Sequence, residues 1–461
     1  MQHGTFDGSH DDGRRMGRRA MIQSTAAAAL GLLATGGLKV PTARAAGLWN
    51  PGPKSGLPFW IGGFGNLPEL AGLMPPTRQL DLVHLFESPG HYAETVRAVN
   101  AWFPFSKEAA LLASGAAAGL QWTSSPFCYG GADAPPAAWP SGPSAITTTT
   151  WLNASRPPTF TGSETAAERA AKQRRVWRMA ADGWLDPIWR WKFVEIKRGF
   201  FVKKNLRSIR IVLRVAHELN LNGRDGRGWG SKVQHRAHNI GQLTGLDDAA
   251  MVKEALRRYI ALFLEVFGKI QPEIAGDFAY RADQLWPYWC PIPEQYNPFD
   301  VCLTCPDNAK LAGPDVYDNW PTGLSDAEFA VNSRAYSRQG WPKGIQTWAD
   351  WATATGRLLA VGEFGLMTTE ATAEGTRPYH QGWDNPAFIR GMLNLFRDYA
   401  DRVAFLCYFN RDLASSPDLA GHLIAPWSGI EDPAIACART PVGDVNRCGA
   451  RAWRAWMAAA P

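Results

Sequence analysis

The feature that most constrains the fold of this sequence is a repeated alternation between short apolar segments and longer helical patterns. Such alternation predicts βα units that assemble a parallel sheet. Eight apolar segments fit strands, at residues 58–63, 80–86, 119–124, 209–216, 273–280, 311–317, 358–364 and 403–409. Because an open sheet seldom needs eight strands, we expect an α/β fold consisting of a single (β/α)8 TIM barrel with long βα loops.

The helical patterns lie between these segments, at residues 91–102, 164–198, 249–269, 346–355, 386–399 and 450–459. Two stretches have loop composition: 125–165 is rich in Gly, Pro, Ser and Thr, and 286–310 is rich in Cys, Pro and Trp. Neither an internal repeat nor an interdomain linker is evident. We therefore expect residues 46–461 to form one domain, a size that barrels with insertions reach.

The first 45 residues have the three parts of a secretory signal: arginine pairs, a mildly apolar run over 26–38, and the small-x-small sequence Ala43-Arg44-Ala45. The apolar run is too short to span a membrane. The paired arginines resemble a twin-arginine (Tat) signal, with an ordinary secretory signal as the alternative. We expect a mature protein that begins near Ala46 and is exported to the periplasm or beyond.

Charge and cysteine content fit this expectation. Part of the formal charge of +6 comes from six basic residues before Ala46, and without that stretch the balance is closer to neutral. With no basic stripe in the body, we expect no nucleic-acid partner. An oxidising compartment favours disulfides among the seven cysteines, of which at least one is free.

We interpret Cys407 as a buried free thiol, because it lies in an apolar run. A Cys437–Cys448 bridge is predicted within a polar C-terminal loop, and a second bridge from Cys290 to Cys302 or Cys305. A zinc site built on Cys290, Cys302 and Cys305 is the alternative, although no fourth ligand is evident.

Two glutamates stand where two strands end, Glu218 after 209–216 and Glu363 at the end of 358–364. In a barrel, the carboxyl ends of the strands form the active site. Alternation along a strand would place Arg214 on the same face as Glu218, and Leu359 and Val361 on the same face as Glu363. Glycosidic bond cleavage requires two carboxyl groups on either side of the bond. A salt bridge to a loop arginine is the structural alternative for each glutamate.

The chain also has 21 tryptophans, and several lie beside Gly, Pro and polar residues: Trp229, Trp286, Trp289, Trp320 and Trp341. Flat aromatic faces near loops suit sugar rings, although about half of the tryptophans are expected in the core. We count Trp289 among the substrate-binding candidates.

Four segments resemble glycoside hydrolase family 26. They are RIVLRVAHELN at 210–220 followed by Trp229, GPDVYDNW at 313–320, LLAVGEFG at 358–365 and WDNP at 383–386. The resemblance extends over roughly residues 59–410. It implies a retaining mechanism with the carboxyl groups about 5–5.5 Å apart.

The resemblance also implies roles. Glu218 would be the acid/base and Glu363 the nucleophile. Arg214 would keep the nucleophile ionised, and Tyr317 would donate a hydrogen bond to it. The implied substrate-binding residues also include His217 and Asn220 of the strand-four segment. Trp229 and Trp383 would be sugar platforms. Glu218, nearer the mouth, would stay protonated because Trp229 and the substrate desolvate it.

The substrate that we expect is a β-linked oligo- or polysaccharide. Mannan is the usual family substrate, and xylan, mixed-linkage glucan and acidic exopolysaccharides stay open because loops set specificity on this fold. Arg224 and Arg227 fit an acidic glycan, with a solvated loop as the alternative. Two other classes are a non-catalytic carbohydrate-binding barrel and an exported oxidoreductase. The sequence has no dinucleotide fingerprint, haem motif or clustered His/Cys set, so we expect no cofactor and no metal.

Overall fold

The chain folds into a closed eight-stranded parallel barrel surrounded by helices. The structure is a computed structural model that describes residues 53–65, 67–86, 106–124, 126, 165–215, 218–220, 240, 243–293, 299–318, 325–366, 370–372, 375–377, 385–410 and 448–460. All of them belong to the compact unit that begins at Ala45. Within these ranges, no helix has the length and apolar character needed to cross a membrane.

The strands are β1 (Trp60–Gly65), β2 (Leu82–Phe86), β3 (Gly119–Ser124), β4 (Arg210–Val215), β5 (Leu285–Trp289), β6 (Leu311–Ala312), β7 (Val316–Tyr317), β8 (Leu358–Gly365), β9 (Glu370–Thr372), β10 (Gly375–Arg377) and β11 (Val403–Asn410). The barrel runs from β1 to β6 in sequence order, continues to β8 and β11, and closes where β11 pairs with β1. β6 and β7 both pair in parallel with β8 and together form the sixth barrel strand. β9 and β10 form a separate antiparallel pair. The predicted fold class is thus confirmed.

The helices are α1 (Leu67–Gly72), α2 (Ser106–Ala113), α3 (Ala166–Ala181), α4 (Asp186–Ile196), α5 (Leu246–Gly268), α6 (Asp326–Asn332), α7 (Ile345–Ala354), α8 (Pro386–Asp398) and α9 (Cys448–Ala459). α4 continues into a π-helix at Lys197–Val202. A Thr165 capping box starts α3, with Glu168 as its partner. The predicted helix at 91–102 and the predicted loop at 127–164 lie outside the described residues.

Seven of the eight predicted strands are found within a few residues of their predicted ends, and the fifth is wrong. Residues 273–280 form turns that pack under the end of α5, where Asp277 accepts a hydrogen bond from Lys197 at 2.8 Å. The fifth strand is β5, which lies in the stretch interpreted as loop. Proline in a strand lacks the backbone N–H that a ladder uses, so Pro287 concealed β5.

Side chains alternate between two apolar layers. Those pointing outward join the large core between barrel and helices, and those pointing inward form a smaller cluster inside the barrel. At the N-terminal end of the barrel, the Arg210 guanidinium lies between two indoles, 4.5 Å from the ring centroid of Trp60 and 4.0 Å from that of Trp286. Cation–π contacts of this kind keep a buried arginine compatible with an apolar interior.

The same division corrects one disulfide expectation. Cys290 belongs to the inner cluster, whereas Cys302 and Cys305 pack with the outer core, and all three are free thiols. A bridge from Cys290 to either of them is therefore wrong, and the three do not converge on one metal site. Cys407 is a buried free thiol, as expected. Cys437 lies outside the described residues, so the Cys437–Cys448 bridge stays a prediction.

Candidate active site

Glu363 reaches the barrel interior because β8 contains a β-bulge. On β11, Leu406 pairs with Val361 and Tyr408 pairs with Phe364, so Gly362 and Glu363 together lie opposite one residue. Leu359, Val361 and Phe364 belong to the outer core, yet the Glu363 carboxylate contacts residues inside the barrel. The expectation that Glu363 shares a face with Leu359 and Val361 is therefore wrong. A bulge inserts one extra residue and re-aims the side chains beyond it.

Gly362 is the residue that lets the bulge form. A Cβ at this position would lie 2.9 Å from Arg214 Nε, 2.9 Å from the Tyr288 ring and 3.1 Å from Gln121 Nε2. Its backbone N–H donates to the Tyr288 hydroxyl at 2.9 Å, and Gln121 Nε2 donates to its carbonyl at 3.1 Å. Inward side chains thus replace the hydrogen bonds that the bulge disrupts.

Among the described residues, two donors hold the Glu363 carboxylate. Arg214 Nη1 donates to Oε1 at 2.5 Å, and the Tyr317 hydroxyl donates to Oε2 at 2.6 Å. Arg214 comes from β4, the fourth barrel strand, and its contact with Glu363 on β8 crosses the barrel to the seventh. Tyr317 comes from β7, which is part of the neighbouring sixth strand. Hydrogen bonds and positive charge both favour the ionised form of a carboxylate.

Arg214 is wholly buried and contacts Glu363, and its expected part in substrate binding stays a prediction. Its Nη2 donates to Asp315, a residue in the gap between β6 and β7 that sequence reasoning did not assign. Cys290 Sγ in turn donates to the other oxygen of Asp315 at 3.3 Å. One guanidinium is therefore shared between two buried carboxylates.

The charges in this group act on one another. Burial alone lowers the pKa of Arg214, but the charges of Asp315 and Glu363 outweigh it, so that the pKa lies well above its ordinary value. Burial, followed by the charges of Glu363 and Asp315, raises the pKa of Tyr317 well above its usual range. The Tyr317 hydroxyl thus keeps its proton and stays a donor to Glu363. The charge of Glu218 raises the pKa of Tyr317 as well, so both glutamates act on one hydroxyl.

Glu218 lies in a turn just after β4 and is 6% exposed. Its φ of 49° is in the left-handed region, which a non-glycine residue seldom occupies. Such a conformation costs of order 1–3 kcal/mol and persists where surrounding contacts hold it. Here Ile240 N donates to the carbonyl of Leu219 at 2.9 Å.

Asn220 holds the other end of that turn. Its amide accepts from Ile292 N at 2.7 Å and donates to the carbonyl of Ile292 at 3.2 Å, and the residue is wholly buried. The Asn220 amide thus ties the Glu218 turn to the segment after β5, and the expectation that Asn220 also binds substrate stays a prediction.

Trp289, another expected substrate-binding residue, is the last residue of β5. It is wholly buried and points outward from β5, with its ring centroid 6.2 Å from that of Trp348 and 5.7 Å from that of Trp351. The other expected contributors His217, Trp229 and Trp383, together with Arg224 and Arg227, lie outside the described residues.

A second contact on Arg214 was also missed by the sequence reasoning. His84 on β2 lies with Nε2 2.7 Å from the hydroxyl of Thr123 and 3.5 Å from Arg214 Nη1, and Thr123 accepts from Arg214 at 3.3 Å. The alternation of β2 and β3 places both side chains inward, and this is the signal that could have identified them.

Within the described ranges, no group of three His, Cys, Asp or Glu residues is arranged to hold a metal ion. The chemistry available from these residues is that of two carboxylates in unlike surroundings. Glu363 is fixed by a cation and a phenol, whereas Glu218 stands on a separate turn. Such a pair suits acid–base or nucleophilic chemistry at a bond placed between them.

No family model matches the chain, and no curated protein matches it. The similar solved structures include family 26 glycoside hydrolases, all at low sequence identity. GH26C from Muricauda sp. MAR_2010_75 is 11% identical, with 79% of this chain and 81% of that chain covered and a TM-score of 0.42.

The catalytic domain of the Bacillus sp. JAMB-750 GH26 endo-β-1,4-mannanase is 12% identical, with 83% of each chain covered and a TM-score of 0.41. A GH26 β-mannanase from Bacteroides ovatus is 10% identical, with 87% and 88% covered and a TM-score of 0.38. Identities and scores at this level assign no activity, so we base the function on the contacts of the chain's own residues.

Proposed function

We propose that the protein is a retaining glycoside hydrolase that cleaves β-linked glycans. The observation that carries the proposal is the Glu363 carboxylate, held by Arg214 at 2.5 Å and by Tyr317 at 2.6 Å at the carboxyl ends of the barrel strands. Both contacts favour an ionised carboxylate, which a nucleophile at the anomeric carbon requires.

Glu218 serves as the acid/base in this proposal. It stands on the turn after β4, apart from the direct contacts of Arg214 with Glu363 and Asp315, and its charge acts on Tyr317. It would first protonate the departing sugar oxygen and then activate the water that hydrolyses the glycosyl-enzyme. The substrate class that we propose is a β-mannan or a related β-glycan or exopolysaccharide.

The first test is hydrolysis of a panel of mannan, xylan, mixed-linkage glucan and acidic exopolysaccharide. The release of reducing ends measures the rate. Glu218→Gln and Glu363→Gln should each lower turnover by several orders of magnitude while the thermal unfolding transition persists. Glu273→Gln, a carboxylate on the outer surface near α4, serves as the control and should retain full activity. Glycan binding without hydrolysis in the wild type would instead indicate a carbohydrate-binding barrel.

Rescue with azide separates the two roles. With an activated aryl glycoside, Glu218→Ala should still form the glycosyl-enzyme, and azide should restore turnover with retained configuration. With Glu363→Ala, azide should yield the inverted glycosyl azide. The opposite pattern would exchange the roles, and an inverted product from the wild type would disprove the retaining mechanism.

We also propose export through the twin-arginine signal, supported by the arginine pairs and the small-x-small sequence before Ala46. N-terminal sequencing of the exported protein should find a start near Ala46. An unprocessed N-terminus in the cytoplasmic fraction would contradict this.

A further inference from the structure

The two buried carboxylates that share Arg214, those of Asp315 and Glu363, have similar hydrogen-bond donors. Among the described residues, each accepts a hydrogen bond from the guanidinium and another from a neutral side chain. Tyr317 donates to Glu363 at 2.6 Å, and Cys290 donates to Asp315 at 3.3 Å. Tyr317 has an implied role in the reaction, whereas nothing so far gives one to Cys290.

Cys290 follows the last residue of β5 and is wholly buried in the inner cluster. Its thiol lies 3.3 Å from Asp315 Oδ1 and 3.7 Å from the carbonyl oxygen of Pro291. The single thiol proton goes to the carboxylate, because the carboxylate is nearer and an ionised acceptor makes the stronger hydrogen bond. Burial raises the pKa of Cys290 well above its usual range, so the proton is retained.

The arrangement places two negative charges, on Asp315 and Glu363, against one positive charge on Arg214. In a buried site, neutral donors stabilise such an excess of negative charge. The thiol does this for Asp315. Without it, Asp315 would draw the guanidinium toward itself and leave Glu363 with less positive charge nearby.

We propose that Cys290 is a positioning residue for the reaction: by donating its thiol proton to Asp315, it keeps Arg214 shared between Asp315 and Glu363 and so sets how readily Glu363 takes up a proton. Its catalytic meaning rests on the glycosidase function proposed above. Cys290 touches neither Glu363 nor the bond to be cleaved and acts through Asp315 and Arg214.

Several titratable groups face this network from the surrounding elements. Among the described residues they are His84 on β2, Arg214 on β4, Glu218 after β4, Tyr288 on β5, Asp315 and Tyr317 on the sixth strand, Glu363 on β8, and Cys407 on β11. All of them are unchanged when only Cys290 is substituted. A difference in pH profile between the wild type and a Cys290 variant therefore reflects the loss of the thiol.

The test is the pH profile of kcat/KM for the wild type, Cys290→Ala, Cys290→Val and Cys290→Ser. The acid limb reports proton uptake by the free-enzyme nucleophile and the groups coupled to it. The alanine and valine variants are both made so that at least one of them folds. In a folded variant, the midpoint of the acid limb should move to higher pH by roughly half a unit, a shift typical for the loss of one weak hydrogen bond. Serine, which restores a donor, should return the limb toward the wild-type position.

Cys305→Ala is the control, because Cys305 is also a buried free thiol but packs in the outer core, apart from the inner cluster that contains Cys290. It should leave the acid limb unmoved even if the free energy of unfolding falls. An acid limb in Cys290→Ala that coincides with that of the wild type would overturn the proposal. So would an equal shift in Cys305→Ala, which would show a general effect of lost volume.

An infrared measurement tests the contact independently of activity. The S–H stretching band that disappears in Cys290→Ala should lie at the lower frequency of a hydrogen-bonded thiol and should move up in Asp315→Asn. If no glycan is cleaved, the proposed function fails, whereas this band still decides whether the thiol donates to Asp315. A band at the frequency of a thiol without a hydrogen bond would refute the inference.

Discussion

The ionisation of Glu363 is governed by two donors with unlike properties. Arg214 supplies a fixed positive charge that is divided with Asp315, and Tyr317 supplies a neutral hydroxyl that is directed at Glu363. Because the pKa of Tyr317 is raised by burial and by the carboxylates around it, the hydroxyl remains a donor at neutral and mildly alkaline pH. The phenol is therefore the part of the site that can be removed without changing its charge.

Tyr317→Phe removes that hydroxyl and keeps the ring. A hydrogen bond to an ionised carboxylate contributes about 1.5–3 kcal/mol, so we expect kcat/KM to fall by roughly 10- to 100-fold. The midpoint of the acid limb of the pH profile should move to higher pH, since Glu363 loses the Tyr317 donor. Initial rates against pH measure both quantities.

Tyr336→Phe is the control, because Tyr336 is 57% exposed on the outer surface. It should leave the rate unchanged. A Tyr317→Phe variant as active as the wild type would mean that the hydroxyl does not support the nucleophile.

At the scale of the element, the bulge in β8 decides which residues enter the barrel. It lets Glu363 point inward while its neighbours Val361 and Phe364 remain in the outer core. The bulge depends on a residue without a side chain, because Gly362 is surrounded by Arg214, Tyr288 and Gln121.

Gly362→Ala should therefore impair both stability and activity. The added methyl group lies within 3 Å of Arg214 and Tyr288, and overpacking of this kind typically lowers the free energy of unfolding by about 1–3 kcal/mol. A shift of Arg214 by a fraction of an ångström would misplace Glu363, so we expect kcat to fall by at least about 10-fold. Urea unfolding and initial rates are the measurements.

Gly72→Ala provides the comparison, since an added Cβ at the end of α1 meets no atom within 4 Å. It should change neither quantity. If Gly362→Ala behaves like Gly72→Ala, the bulge does not depend on the missing side chain.

The same element shows what the sequence could predict. The apolar run from Leu358 onward predicted the strand and placed Glu363 at its end, but strict alternation assigned its side chain to the wrong face. A glycine inside a strand is the signal of a bulge, and Gly362 carries that signal. For β5 the two local signals conflicted, because Pro287 argued against the strand that Trp286 and Tyr288 favoured.

For the whole molecule, barrel closure depends on contacts that no single element contains. Asp81, just before β2, accepts hydrogen bonds from Ser55 N at 2.9 Å, Ser55 Oγ at 2.6 Å and Ile61 N at 2.9 Å. It therefore links the segment before β1 to the first two strands. Burial raises the pKa of Asp81 to about 6, although the hydrogen bonds partly offset this effect.

This raised pKa gives the stability of the protein a definite pH dependence. Between about pH 4 and pH 6 the folded chain holds a proton on Asp81 that the unfolded chain releases. The contribution of Asp81 to the free energy of unfolding is therefore fully present below pH 4 and is lost as the pH rises through 6. A difference of about two pKa units corresponds to about 3 kcal/mol.

Asp81→Asn removes the titration. The free energy of unfolding of the wild type minus that of the variant should fall by about 3 kcal/mol between pH 4 and pH 7, measured by urea unfolding. Asp350→Asn, on the exposed surface of α7, should show no such trend. A difference that is independent of pH would mean that Asp81 is ionised throughout.

Long-range pairs such as Asp81 with Ser55 mark the limit of sequence reasoning at this scale. The alternation of apolar and helical segments predicted the closed barrel, because each βα unit has a local pattern. Two contacts became evident only from the structure: that of Asp315 with Arg214 and that of Cys290 with Asp315. These residues come from different strands, and no local pattern relates them. Sequence reasoning did mark the carboxyl ends of the strands as their meeting place.

The bulge also bears on how a protein of this kind can diversify. Along β8, outward and inward side chains alternate as far as Gly362. Two inward positions, Gly362 and Glu363, then follow each other. Substitutions of Leu359, Val361 or Phe364 would act on core packing, whereas a substitution of Glu363 would act on its contacts with Arg214 and Tyr317 and on the proposed reaction. Selection can therefore act on the two sets separately, and a lineage can change its reaction at one position of this strand while inheriting its packing intact.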